Sequence, residues 1–183
     1  MGVPLGMTGR VRILATRYQL LIFIIIALAL STFRVQAEPM TVKVLRVLAG
    51  DNLLVDYQGK QEIVRLLGID APESRINKKA ENDAKRTGKD VETIIAMGRK
   101  ATAFVRTLVK PGDLVTIEFD IDPIDQYERL LGYVYLPNGK MLNEEIVNAG
   151  YANVITAPPN VKYQKRFMKA YEEARESGRG LWR

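Results

Sequence analysis

Apolar residues alternate with polar ones from Thr41 to Leu48, with Val42, Val44 and Val47 as the β-branched positions and Leu45 and Leu48 interrupting them. This pattern predicts a half-buried strand. Ala49-Gly50-Asp51-Asn52 reads as a turn, Leu53 to Tyr57 as a second strand, Gln58-Gly59 as a hairpin turn and Gln61 to Ile69 as a third strand. Asp70-Ala71-Pro72 breaks the run, because proline lacks a ladder donor and restricts the residue before it. Ser74 to Glu92 is dense in charge and poor in apolar residues, which predicts a mobile surface loop or a frayed helix. Ile94, Met97, Ala101, Phe104, Val105 and Leu108 then recur at helical spacing up to Pro111-Gly112.

Leu114 to Phe119 and Leu130 to Leu136 read as the fourth and fifth strands, separated by a polar loop from Asp120 to Glu128. Pro137-Asn138-Gly139 is a turn, and Leu142, Ile146 and Val147 mark a short helix stopped by Gly150. Tyr163, Phe167, Ala170, Tyr171 and Ala174 mark a last amphipathic helix, after which Leu181-Trp182 is expected to fold back onto the core. The expected class is α+β: a five-stranded barrel of the OB type with about three packed α-helices. Such barrels commonly bind oligonucleotides, although fold alone does not establish function.

The N-terminus follows other rules. Arg10, Arg12 and Arg17 precede an unbroken apolar run from Leu20 to Leu30, and Val35-Gln36-Ala37 presents small residues for a signal peptidase. Residues 1–37 thus read as a signal peptide, or as a retained membrane anchor if uncleaved, with a single domain over 38–183. The expected location is secreted, or anchored with the domain outside. Loss of that segment, which holds four arginines and no acid, lowers the formal net charge from +6 to +2. The overall charge therefore does not decide the substrate, and local clustering must.

The 183 residues include no histidine and no cysteine. Imidazole bases, thiol nucleophiles and histidine or thiolate zinc sites are excluded, and any catalysis must use carboxylates, guanidinium groups, lysines, tyrosines, hydroxyls or backbone. Arg65-Leu-Leu-Gly-Ile-Asp-Ala-Pro-Glu73 places a cation, two carboxylates and a rigid proline in nine residues. Asp51 and Asp70 each follow a strand; they suit a hard cation such as Ca²⁺ or act as turn caps. Arg65, inside an apolar strand, requires an anionic partner, either a protein carboxylate or a ligand. Glu73 can polarise a water or pair with Arg65. Arg129 is a phosphate ligand or a solvated charge at a strand end. Together these groups match the needs of phosphodiester cleavage: an oriented water, charge compensation on the phosphoryl oxygens and stabilisation of the leaving oxygen.

Ala49-Gly50-Asp51-Asn52, Arg65 to Glu73, Asp125 to Arg129 with Gly132-Tyr133-Val134-Tyr135, and the Gly180-Leu181-Trp182 ending resemble the thermonucleases, the staphylococcal-nuclease-like family, in the same order. The resemblance spans nearly all of Met40 to Trp182. It implies a Ca²⁺-dependent OB-fold endonuclease that cleaves DNA and RNA and leaves 3′-phosphate ends. It further implies Asp51 and Asp70 as carboxylate ligands of the metal and Ala71 as a carbonyl ligand. Arg65 and Arg129 would bind the scissile phosphate, Glu73 would act as general base or orient the water, and Tyr127 would contact the nucleotide. Several positions depart from the family pattern. Ala49 stands for an aspartate, Asn52 and Ala71 for threonines, Gln126 for a basic residue and Glu128 for a glycine. The other function considered is a non-catalytic OB-fold module that binds nucleic acid.

Overall fold

A computed structural model describes residues 39–183; the targeting segment expected at residues 1–37 lies outside them. The first three strands form a meander: β1 (Met40–Ala49), β2 (Asn52–Tyr57) and β3 (Lys60–Leu66). They are followed by β4 (Ile69–Asp70), helices α1 (Lys78–Thr87) and α2 (Val91–Leu108), β5 (Leu114–Glu118) and β6 (Leu130–Tyr135). The chain ends with α3 (Leu142–Asn148), β7 (Asn153–Val154), α4 (Gln164–Glu176) and a 3-10 turn at Gly180–Trp182. Strands β1-β2-β3-β6-β5 close into a five-stranded barrel, as the alternation predicts. Antiparallel pairing of β1 with β5 completes it, and β3 and β6 run parallel, with Val64 opposite Leu130 and Arg65 opposite Leu131. The inward residues Val42, Val44, Val47, Leu53, Val55, Val64, Val115, Ile117 and Val134 are all buried.

The interruption of the pattern in β1 has a structural cause. The β1–β2 register shifts between Val44 and Arg46, and again between Val47 and Ala49. Leu45 and Leu48 are thus extra residues in the strand, and such bulges re-aim the side chains that follow them. Val47 faces the core where strict alternation from Val44 would have placed Arg46, and Arg46 is exposed.

Two stretches differ from the sequence reading. The third strand ends at Leu66; Gly68 turns the chain at a φ of 75°, and Ile69–Asp70 pairs with β7 in a separate two-stranded sheet. The charged stretch after Pro72 contains an ordered helix, α1, which joins the three expected helices as a fourth. Asn77 caps it, its side chain accepting a hydrogen bond from the Ala80 N–H at 2.8 Å, and Gly88 ends it in the left-handed region. Ala80 and Ala84, one turn apart, bury against Ile94 with Val91 and Met97 packed beside them. Two alanines suffice to seat a ten-residue helix because small side chains let it approach α2 closely, and apolar content alone underestimates such a helix.

Candidate active site

The site lies where the β1–β2 turn, the end of β3, the β4–α1 segment and the start of β6 meet. Asp51 in the turn is buried. Its Oδ2 accepts the Ala71 N–H at 2.8 Å and lies 2.9 Å from Nη1 of Arg65, and its Oδ1 accepts from the Asn52 amide at 2.6 Å. Burial pushes the Asp51 carboxyl above its ordinary value; Arg65 and the Ala71 N–H pull the other way, and the charges of Asp70 and Glu73 add to the upward shift. Arg65 reaches from β3 to both aspartates, with Nη2 3.2 Å from Oδ1 of Asp70. The turn-cap reading of Asp51 holds: its carboxylate ties the β1–β2 turn to Ala71, and Arg65 bridges it to Asp70.

The first turn of α1 delivers Lys79 to this cluster. Its Nζ lies 3.2 Å from Asp70, 3.7 Å from Glu73 and 2.9 Å from Asp83. Burial lowers the Lys79 ammonium, but the Asp83 hydrogen bond and the Asp70 charge outweigh it, and the group is held above its ordinary value. Glu73 is anchored on its other oxygen by the Asn77 amide at 2.9 Å, so it pairs with Lys79 and Asn77. Neither Lys79 nor Asn77 stood out as a site residue in the sequence. Only the helical placement of Lys79, with its i, i+4 partner Asp83, could have signalled that it turns inward.

Arg129 arrives from the other edge. The Asp125 carboxylate accepts the Tyr127 and Arg129 backbone N–H groups at 2.9 and 3.0 Å, which shapes the loop, and also binds the Arg129 guanidinium at 2.7 Å. Burial opposes ionisation of Asp125, but the Arg129 hydrogen bond and the two N–H groups hold its carboxyl below the ordinary value. Nη1 of Arg129 lies 3.4 Å from the Asn52 side-chain oxygen. Asn52 thus links Asp51 to Arg129, and a continuous path runs Arg65–Asp51–Asn52–Arg129. Tyr127, 70% exposed, stands with its ring 5.4 Å from the Arg129 guanidinium. The structure brings Arg65, Asp51, Asp70, Ala71, Glu73 and Arg129 into one cluster, with Tyr127 at its rim.

Gly98 is a further residue that sequence reasoning missed. A Cβ there would lie 2.2 Å from the Glu73 carbonyl oxygen, so only glycine lets the Glu73 backbone rest on α2. A glycine inside a helix, costing about 1 kcal/mol relative to alanine, was the available signal. The oxygen donors offered to a hard cation are the carboxylates of Asp51 and Asp70 with the Ala71 carbonyl. Among the described residues no group of three or more acidic, histidine or cysteine side chains stands in a metal-binding arrangement.

The fold and the site define an OB-type barrel with two guanidinium groups and the carboxylates of Asp51, Asp70, Glu73 and Asp125 gathered at one end. The chain belongs to the staphylococcal nuclease homologue family, whose model matches residues 63–183. That match includes Arg65, Asp70, Ala71, Glu73, Tyr127 and Arg129, and Asp51 precedes it. A thermonuclease of Staphylococcus hyicus is 32% identical over 146 residues, 80% of this chain and 78% of that protein. A thermonuclease of Staphylococcus intermedius is 32% identical over 152 residues, 83% of this chain and 80% of that protein. Endonuclease YncB of Bacillus subtilis (strain 168) is 34% identical over 149 residues, 80% of this chain and 64% of that protein.

Proposed function

We propose that this protein is a Ca²⁺-dependent nuclease that hydrolyses phosphodiester bonds of DNA and RNA. The observation that carries this reading is the path from Arg65 through Asp51 and Asn52 to Arg129, with Glu73 held beside it by Asn77 and Lys79. The relatives named thermonuclease and endonuclease support it. Two fixed guanidinium groups can compensate charge on the phosphoryl oxygens as it builds, and one such arginine is worth about 10³–10⁵ in rate. Glu73 takes a proton from the attacking water as its oxygen bonds to phosphorus. The P–O5′ bond then breaks, the leaving 5′ oxygen takes a proton from solvent water and Glu73 gives its proton back to solvent, so that the products are a 3′-phosphate and a 5′-hydroxyl. Tyr127 contacts the nucleotide from the rim.

The all-oxygen donor set of Asp51, Asp70 and Ala71 fits Ca²⁺ in kind, and waters would complete the roughly 6–8 ligands such an ion takes. Asp51, Asp70 and Glu73 bring three carboxylates to the site against the two cations Arg65 and Lys79. Lys79, bridging Asp70 and Glu73, offers a single charge at the same place. When bound, the ion supplies Lewis-acid stabilisation of phosphoryl charge. The N-terminal segment fits export, leaving the domain outside the cell, free or anchored.

The test is cleavage of single-stranded DNA and of RNA by the purified chain in Ca²⁺ or in excess chelator, beside Glu73→Gln, Arg65→Lys and Arg129→Lys. The lysine variants are the right probes, because Arg65→Ala would strand the buried Asp51 carboxylate at a cost of about 3–5 kcal/mol. A lysine keeps the charge and loses the fork. Cleavage should require Ca²⁺ and fall by about 10³-fold or more in each arginine variant while the thermal melt stays cooperative. Salt-sensitive binding with no cleavage under any condition would instead make the chain a non-catalytic OB-fold module.

A further inference from the structure

Glu73 also borders an open cleft of about 600 Å³. Three arginines line it, each from a different element: Arg46 from β1, Arg75 from the segment before α1 and Arg106 from the last turn of α2. All three are exposed, and among the described residues none forms an ion pair. Arg65 and Arg129, by contrast, are both held by carboxylates. The placement of Arg46 follows from the β1 bulge, which turns it out of the barrel. Arg106 is steered towards the same strand, its Nη2 3.5 Å from the Val47 carbonyl oxygen. Among the described residues Glu73 is the only acid in the lining, and half-buried Leu48 and Ala49 supply an apolar floor. Three like charges around one cleft repel each other until an anion enters, and the volume lies in the range of about 300–1,000 Å³ usual for ligand sites.

We propose that this cleft is a second binding site: the track that holds the sugar–phosphate chain of a single strand on one side of the scissile phosphate. Arg46 and Arg106 grip successive backbone phosphates, Arg75 guards the mouth, and the apolar floor carries sugar or base faces. Guanidinium forks on phosphates over an apolar floor position a strand without reading its sequence, so the track is tolerant of base identity. The inference rests on the nuclease reading only for the identity of the reacting phosphate next to the track.

The experiment measures binding of fluorescein-labelled oligothymidylates, two and twelve nucleotides long, to the full chain in excess chelator across a salt series. Wild type is compared with Arg46→Gln/Arg106→Gln and with Arg99→Gln/Lys100→Gln, a charge-matched pair at exposed positions of α2 outside the cleft. The cleft variant should lose about tenfold or more in affinity for the twelve-nucleotide strand, and its log–log salt slope should shrink by about 1.4, two contacts at about 0.7 each. Its loss on the dinucleotide, and both losses of the control pair, should stay within about twofold. Arg46→Lys/Arg106→Lys, which keeps the charge, should retain the slope. Equal losses in the two glutamine variants, equal losses on the two lengths, or an unchanged slope would overturn the track. Cleavage by wild type in Ca²⁺, scored separately, distinguishes the two readings. A length-dependent loss without wild-type cleavage leaves the track and removes the nuclease; cleavage without that loss does the reverse.

Discussion

Glu128 has a φ of 61° and sits directly before Arg129. An L-residue in that region is strained by about 1–2 kcal/mol, whereas glycine adopts it freely at a smaller entropic cost. The turn survives because Asp125 accepts the N–H groups on either side of Glu128, and the Asp125 carbonyl accepts that of Glu128 itself at 3.0 Å. Glu128→Gly is therefore expected to raise Tm by about 2–4 °C, measured by thermal denaturation. It also removes a carboxylate from beside Arg129, so on the phosphate role proposed for that arginine KM for nucleic acid should fall by up to about fivefold. At this scale the sequence named residues that the fold gathers into one cluster but not their ties. Asn52, which stands where the family pattern has a threonine, holds Asp51 on one side and Arg129, 77 positions further along the chain, on the other. No local pattern encodes a contact of that span.

Helix α2 positions the Glu73 backbone through one missing side chain. Gly98→Ala would gain about 1 kcal/mol of helix propensity, yet its Cβ would fall 2.2 Å from the Glu73 carbonyl oxygen and 2.6 Å from that of Pro72. Backbone must move, and Glu73 moves with it. On the role proposed for Glu73 we expect kcat to fall by about 10²-fold, the usual effect of a shift of about 1 Å in a reacting group. Far-UV circular dichroism should stay unchanged; an unaltered kcat would show that the β4–α1 segment yields without carrying Glu73. Elements with strong periodicity, β1, β2, α2 and α4, were legible in the sequence, since burial of one face imposes the period directly. Helix α1 was not. Its apolar face consists of Ala80 and Ala84, and its stability comes from a cap and from packing on α2.

For the molecule as a whole, pH reports how distant elements are fastened. Glu118 at the end of β5 accepts hydrogen bonds from Tyr135 of β6 and Tyr163 at the start of α4, and it pairs with Lys162. Burial opposes its ionisation, but these partners outweigh burial and hold the carboxyl below its ordinary 4.5. The unfolded chain therefore takes up a proton from about that pH downward while the folded one resists. The stabilisation is present above pH 4.5 and is lost as pH falls through the lower, folded value. Glu118→Gln should be less stable at neutral pH and lose stability more gently in acid, as urea denaturation from pH 7 to pH 3 would show (roughly the span over which carboxylates titrate). Asp83 and Asp125 titrate with the same sign and remain in the variant, so the acid loss should be reduced and not abolished. A variant curve parallel to wild type would place the fastening elsewhere.

The sequence by itself determined the five strands, the principal helices and the chemistry open to the protein. Alternation reports which face of a strand is buried, and the lack of histidine and cysteine leaves carboxylates, hydroxyls, backbone and nitrogen cations as the groups open to the protein. The tertiary structure alone decided which of those groups meet. Barrel closure and the parallel β3–β6 register set Arg129 near Arg65, the bulge at Leu45 turned Arg46 towards the cleft, and the docking of α1 brought Lys79 to Asp70 and Glu73. Periodicity is a local record of burial, whereas register, bulge position and helix docking depend on contacts between residues far apart in the chain, which no window along the sequence contains.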